Sequence, residues 1–309
     1  MKLTVISPVY KAEEIISELV TRIEDSASKI TSDFEIILID DCSPDGSWKV
    51  ITDICKKNSK VKGIKFSKNF GQHYAITAGL KESKGDYIII IDCDLQDDPS
   101  YIPEMYKKLL EDCDIVVARM QQRTHSFIRN FYSALFALVF NSLAENNFSS
   151  ASFGTFSIIK RKVADAFCKV NDTDRHYLLV LRWLGFKWKH IDVVQSKRFS
   201  GSSSYSFNKL CKHTLSGIVS QSDKLLKFSI WLGLIFAVIA LIALISLIVM
   251  YFITGFKEGW VSLICLILLA TGLTLISNGV LGIYLAKTYE QAKNRPLYII
   301  DERVNFKNE

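Results

Sequence analysis

Two aspartates one residue apart, Asp92 and Asp94, close an uninterrupted apolar run, Tyr87-Ile88-Ile89-Ile90-Ile91, and are followed by Gln96, Asp97 and Asp98. Such a run suits a strand buried on both faces. Side chains alternate along a strand, so residues 92 and 94 point the same way. Carboxylates packed this closely repel one another unless a cation lies among them. With the amide oxygen of Gln96 they make a hard-oxygen set suited to Mg2+ or Mn2+, ions that accompany phosphate-bearing substrates. The plainer alternative is an acidic loop capping the next helix. It suits Asp97 and Asp98, just ahead of Pro99, better than Asp92 and Asp94.

Such a cluster needs a scaffold, and the preceding residues supply one. Residues 3–7, 34–39 and 61–66 read as further buried strands. Helical spacing follows over 12–25, from Ser47 to about 57, and through Leu80. Strands alternating with helices mean βαβ units and a mainly parallel sheet, whose ligands bind outside the carboxyl ends of the strands. Pro8 and Tyr10, Asp40 and Asp41, and Ser67 and Asn69 all fall at ends of that kind. Pro8 and Tyr10 also read as a strand-ending turn and Asp40 as a helix-capping carboxylate: Ser43-Pro44 and Asp45-Gly46 are turn pairs, and Ser47 is a candidate helix N-cap. Neither a G-x-G-x-x-G nor a Walker A pattern is present, so a dinucleotide site and a P-loop are not supported.

Strands are also predicted over 114–118, 155–159 and 190–195, with a short helix over 163–167. Arg119, Arg123 and Arg129 follow the first of these strands. Residues 124–143 are predicted as a helix lying in a membrane surface and 206–227 as a second amphipathic segment, with packing onto the sheet as the alternative for both. Residues 197–205 are basic and then Gly/Ser-rich, a composition that suits a mobile loop closing over phosphates, or a linker.

The 309 residues carry a net charge of +6, and 49% are hydrophobic. No charged residue lies between Lys227 and Lys257, or between Glu258 and Lys287. Each gap exceeds the ~20 apolar residues needed to span a bilayer. Two transmembrane helices, 228–256 and 259–286, are therefore predicted, with 287–309 as a tail. Lys224 and Lys227 precede them; Lys287, Lys293 and Arg295 follow. By the positive-inside rule both ends face the cytoplasm. No signal peptide is expected ahead of Ser7-Pro8, so the N-terminal part is expected to stay cytoplasmic, on a multi-pass inner-membrane protein. The seven cysteines are scattered without a C-x-x-C pair, which predicts reduced thiols and neither zinc nor a cysteine nucleophile.

The ordered segments Ser7-Pro8-Val9-Tyr10, Asp40 through Ser47, Ser67-Lys68-Asn69-Phe70-Gly71 and Asp92-Cys93-Asp94-Leu95-Gln96-Asp97 resemble the successive motifs of family-two, GT-A-fold glycosyltransferases. More narrowly they resemble the polyprenyl-phosphate sugar transferases, the group of dolichol-phosphate mannose synthase and the bacterial Gtr-type undecaprenyl-phosphate glucosyltransferases. That resemblance runs the whole length, since the bacterial group carries two C-terminal membrane helices.

The resemblance implies an α/β GT-A domain over 1–205. Pro8, Tyr10, Glu13, Asp40, Asp41 and Asn69 would hold the nucleoside; Asp92, Asp94 and Gln96 would hold the metal on the diphosphate. Catalytic candidates are Asp94, Arg119 and Arg198. Candidates for the acceptor phosphate are Arg123, Arg129 and Ser203. A nucleotide sugar, polyprenyl phosphate and the bilayer are the implied partners, a homotetramer is implied by analogy, and nucleic acid is not expected. The sequence departs from the pattern in places. Lys11 replaces an asparagine, Asp98 a proline and Ser204 a lysine. Thr155 stands where many relatives carry an aspartate near the transferred sugar, so no catalytic carboxylate is assigned there.

The implied reaction is attack of a lipid phosphate oxygen on the anomeric carbon of a nucleotide sugar, inverting that centre. A phosphate monoester is largely dianionic at neutral pH, with its second pKa at about 6, and needs no strong base. That agrees with the lack of an evident nucleophile–base set. Two alternatives stay open. One is a processive polysaccharide synthase, although Leu179 stands where its Q-x-x-R-W motif needs glutamine. The other is a membrane-anchored nucleotide-sugar scaffold without catalysis.

Overall fold

The computed structural model of the protein describes residues 2–120, 153–173, 175–194, 224–254 and 260–306. Among the described residues there are eight strands: β1 Leu3–Val9, β2 Phe34–Asp40, β3 Val61–Phe66, β4 Tyr87–Ile90, β5 Ile115–Met120, β6 Phe153–Lys160, β7 Trp188–Val193 and β8 Ile300–Val304. The helices are α1 Ile16–Ser28, α2 Ser47–Lys57, α3 Gln72–Glu82, α4 Ile102–Leu109, α5 Arg161–Lys169, α6 Tyr177–Trp183, α7 Lys224–Thr254 and α8 Trp260–Ala292. All eight strands join one sheet in the order β7-β5-β6-β4-β1-β2-β3-β8. The sheet is mixed. The central β4-β1-β2-β3 strands are parallel, as is β5 with β7, whereas β6 runs antiparallel to both neighbours and β8 antiparallel to β3.

Strands β1 and β2 are buried from end to end, because helices cover both faces. Leu3, Val5, Ile36 and Leu38 face one core with Ile16, Leu19 and Ile23 of α1, Ile51 of α2 and Met105 of α4. The alternate residues Ile6, Ile37, Ile39 and Ile90 face a second core with Ala75, Ile76 and Leu80 of α3 and Phe167 of α5. Gly79 lets α3 lie close on the sheet: a Cβ there would come 2.4 Å from Ile6 Cγ2.

Several expectations need adjustment. Helix α1 begins at Ile16 rather than residue 12. The Ala12 N–H is instead taken by Ser47 Oγ, 3.1 Å away. Ser47 is not the cap of α2 but its first residue, behind Gly46. The segment read as a tail contains β8. That strand is held by charge pairs, Lys65 with Glu302 at 2.7 Å and Glu82 with Arg303 at 2.7 Å. The Asn305 side chain fixes its end, donating to the carbonyl oxygens of Asn58 and Val61 at 3.2 and 2.8 Å.

The chain divides into two compact units: residues 1–124, 149–204 and 295–309, and residues 125–148 with 205–294. In the second, α7 and α8 are 31 and 33 residues long. Ser229 Oγ of α7 donates to Ser277 Oγ of α8 at 3.1 Å. Among the described residues one stretch, Leu269–Ala292, with mean hydropathy 1.5 and none of it buried, is long and apolar enough to cross a membrane; Ser229–Ala243 is a shorter apolar stretch.

Candidate functional site

The parallel registers of β1, β2, β3 and β4 bring their carboxyl ends to one rim of the sheet. Antiparallel β6 brings its first residues to that same rim, since Ile90 pairs with Ser157. Three strand exits turn through non-glycine residues in the left-handed region: Lys11 at φ 56°, Cys42 at φ 53° and Leu95 at φ 55°. Each such residue costs roughly 1–2 kcal/mol against ordinary backbone, a strain typical of binding rims.

Asp41 organises one side. Its carboxylate accepts the backbone N–H groups of Phe70 and Gly71 at 2.7 and 2.8 Å, while its carbonyl oxygen accepts from Asn69 Nδ2 at 3.2 Å. Asp40, fully buried, accepts from the Ser43 N–H at 3.3 Å. Burial pushes both carboxyls above their ordinary range, against the hydrogen bonds that hold them ionised. Pro8 is buried within β1, and Tyr10 stands 45% exposed at the rim. Glu13 braces the β2–α2 turn, its Oε2 accepting the Gly46 N–H at 2.8 Å.

The acidic cluster lies past the end of β4. Asp92 Oδ1 accepts from Gln72 Nε2 at 2.6 Å and from Thr155 Oγ1 at 2.7 Å. Asp94 Oδ1 accepts the Gln96 N–H at 3.1 Å, folding the turn. Asp98 caps the following turn by accepting the Ser100 N–H at 2.9 Å, as the loop alternative holds. Asp97 does not cap. It is 4% exposed, its Oδ1 has no hydrogen-bond partner, and burial with Asp92 and Asp94 nearby pushes it up to about 7. Asp92 is likewise pushed up to about 6, by burial first and then by Asp94, against the Thr155 and Gln72 hydrogen bonds.

Among the described residues no group of three His, Cys, Asp or Glu side chains encloses a metal by itself. The oxygens present still fit a divalent ion arriving with a diphosphate. Mg2+ in such sites takes one or two carboxylates and completes its shell with phosphates and water. Crowded carboxylates with one orphaned buried oxygen are the electrostatic counterpart of that need.

Arg119 is bound bidentately by Asp192, at 2.5 and 2.9 Å, and both side chains are half-exposed. Arg123, Arg129, Arg198 and Ser203 lie outside the described residues, as do the helix expected over 124–143, the loop over 197–205 and residues 206–223 of the second amphipathic segment. Sequence reasoning missed Gln72, Asp192 and the bond made by Thr155. It also missed a buttress behind the Ser67–Gly71 loop. Tyr298 stacks on Phe66 at 5.1 Å, Phe66 meets Phe70 edge-on at 5.6 Å, and the Ser67 N–H donates to the Ile299 carbonyl at 3.1 Å.

Comparison with known proteins agrees with this geometry. Residues 4–167 match the family model for glycosyl transferase family 2. The chain is 30% identical over 99% of its length to the uncharacterized glycosyltransferase YkcC of Bacillus subtilis, covering 95% of that protein. It is 30% identical over 97% of its length to a prophage bactoprenol glucosyl transferase homolog of Escherichia coli, covering 98% of that protein. The bactoprenol glucosyl transferase of Shigella phage SfII is 29% identical, with 97% of each chain covered. Among solved structures, mannosyl-3-phosphoglycerate synthase from Rubrobacter xylanophilus shares the fold, with a TM-score of 0.50 at 13% identity over 71% of this chain and 72% of that one. The sheet order, the aspartate-lined rim and these matches together make the chain a member of glycosyl transferase family 2, a glycosyltransferase of GT-A fold.

Proposed function

We propose that the protein is a membrane-bound, inverting glycosyltransferase that moves one sugar from a nucleotide sugar, UDP-linked, to a polyprenyl phosphate. The observation that carries this reading is the gathering of the Asp40/Asp41, Ser67–Gly71 and Asp92/Asp94 groups on one rim, in a chain similar from end to end to bactoprenol glucosyl transferases. On this reading the Asp41-clasped loop, with Pro8, Tyr10, Asp40 and Asn69, holds the nucleoside, and Glu13 supports it through the Gly46 turn. Asp92, Asp94 and Gln96 hold Mg2+ or Mn2+. When bound, the ion supplies charge neutralisation for the departing diphosphate. What the chain itself does is orient donor and acceptor in line and shield the anomeric centre from water. Arg119, paired bidentately with Asp192 near the carboxyl end of β5, is proposed as a further phosphate contact. Arg123, Arg129, Arg198 and Ser203 are proposed for the phosphates.

Chain connectivity supports a two-span anchor. Residues up to Val194 and residues from Arg295 onward belong to one folded unit, so both must lie on one side of a membrane. The chain between them then crosses an even number of times. Leu269–Ala292 supplies one crossing, and α7 is the element available for the other. The lysine-rich flanks support a cytoplasmic folded unit on this reading.

The test is to incubate membranes containing the protein with radiolabelled nucleotide sugars and polyprenyl phosphate, then extract lipid. One labelled sugar per lipid, lost on chelation and in Asp94→Asn, is expected. A long glycan product, or full activity of Asp94→Asn, overturns the reading.

A further inference from the structure

The register that brings β6 to the rim has a specific result. Tyr87 pairs with Lys160 and Ile90 with Ser157, so the same antiparallel spacing sets Thr155 opposite Asp92. Thr155 Oγ1 donates to Asp92 Oδ1 at 2.7 Å, and Gln72 Nε2, from the first residue of α3, donates to the same oxygen at 2.6 Å. Two neutral donors from two different elements, α3 and β6, therefore converge on one carboxylate oxygen. A carboxylate oxygen has two lone-pair directions, and here both are taken.

We propose that Thr155 and Gln72 are positioning residues that reserve Asp92 Oδ1 for the protein, leave only Oδ2 to a cation, and so select small octahedral ions over Ca2+. The inference rests on the reading of Asp92 and Asp94 as cation ligands. Its physical basis is coordination geometry. Ca2+ takes six to eight oxygens in a flexible shell and readily accepts both oxygens of one carboxylate, at roughly 2.3–2.6 Å. Mg2+ demands near-octahedral geometry at roughly 2.0–2.1 Å, which a single-oxygen carboxylate serves. A carboxylate pinned by two hydrogen bonds cannot swing its second oxygen onto the ion. Both donors are neutral, so they fix Asp92 without adding to the charge that Asp94 already sets beside it.

The full-length protein in detergent is titrated with Mn2+ together with UDP, against a protein-free Mn2+–UDP blank. Free Mn2+ is followed by its electron paramagnetic resonance signal, and Ca2+ is added as competitor. Wild-type protein is expected to bind Mn2+ and to release it only at large excess of Ca2+. Thr155→Val and Gln72→Ala should each weaken Mn2+ by about tenfold, the usual effect of losing a partner of a metal ligand. They should also lower the Ca2+ excess needed for release. Thr155→Ser, which keeps the hydroxyl, should restore the wild-type ratio. That rescue separates a positioning role from simple damage to the fold. An unchanged Ca2+ to Mn2+ ratio in the double variant, with Mn2+ still bound, overturns the inference alone. Failure of wild-type protein and Asp94→Asn alike to bind Mn2+ overturns the cation reading of Asp92 and Asp94 as well.

Discussion

Replacing Asp97 with asparagine should stabilise the metal-stripped protein at pH 8, by about 10 °C in Tm. The reason lies in where that carboxyl sits. Asp97 is 4% exposed, its Oδ1 has no partner, and Asp92 and Asp94 lie close enough to oppose its ionisation. These causes move it from 3.8 to about 7 in the folded protein. The folded state therefore holds a proton that the unfolded chain releases. Stability of the metal-free protein should fall as pH rises from about 4 to about 7, and stay low above that. The difference corresponds to about 4 kcal/mol at pH 8. For a folded unit of this size about 2–4 °C accompanies each kcal/mol. The asparagine side chain keeps the shape without the charge, and the substitution also relieves Asp92. The assay is thermal unfolding in detergent with EDTA at pH 5, 6.5 and 8, for wild type and Asp97→Asn. The two should differ least at pH 5 and diverge further as pH rises to 8. Curves that stay parallel from pH 5 to 8, or a variant less stable at pH 8, would refute the reasoning.

Other outcomes follow from the same packing. Glu35→Gln should cost about 3 kcal/mol at neutral pH, because it strips a 3%-exposed carboxylate that accepts from Lys62 Nζ at 2.7 Å and from Thr4 Oγ1 at 2.8 Å. Burial raises that carboxyl, but Lys62, the Lys84 N–H and Thr4 more than offset it, so it sits below its ordinary range. Its contribution should be present at neutral pH and disappear on acidification through that lowered value, as denaturant titrations against pH will show. Gly79→Ala should destabilise by about 1–3 kcal/mol, since its Cβ would meet Ile6 Cγ2 at 2.4 Å and Ile39 Cδ1 at 3.0 Å; a drop in Tm without loss of residual specific activity checks it. Tyr298→Ala should raise the donor KM more than it lowers kcat, by loosening the stack on Phe66 behind the Ser67–Gly71 loop. A Tyr298→Phe protein should behave as wild type.

Much of the rim was readable because its strands are buried on both faces and so stand out as apolar runs. The ends of β1, β2, β3 and β4 fall within three residues of where the runs stop. What escaped was non-local. Thr155 and Asp92 are 63 positions apart, and only the antiparallel placement of β6 brings them together. Asp97 looks like its neighbour Asp98 in sequence, yet one is buried with an orphaned oxygen and the other caps a turn. Arg119 reads from sequence as a solvated arginine just past a strand, yet it lies within β5, and its partner Asp192 comes from β7, the next strand across. Strand β8 escaped because Ile300-Asp301-Glu302-Arg303-Val304 has three charged residues in five and little burial. Such an edge strand is specified by the ion pairs waiting on β3 and α3, not by its own hydrophobicity.

That last strand also bears on how the protein is made. Strand β3 leaves the ribosome early, but the segment that covers its outer edge is synthesised only after both long helices. Throughout that interval the nascent domain carries a raw β edge, the kind of surface that recruits stray strands. Completion of the sheet is thus tied to translation having passed the hydrophobic hairpin. A premature stop codon between α8 and β8 should yield chains that aggregate or are degraded, even with every rim aspartate already in place.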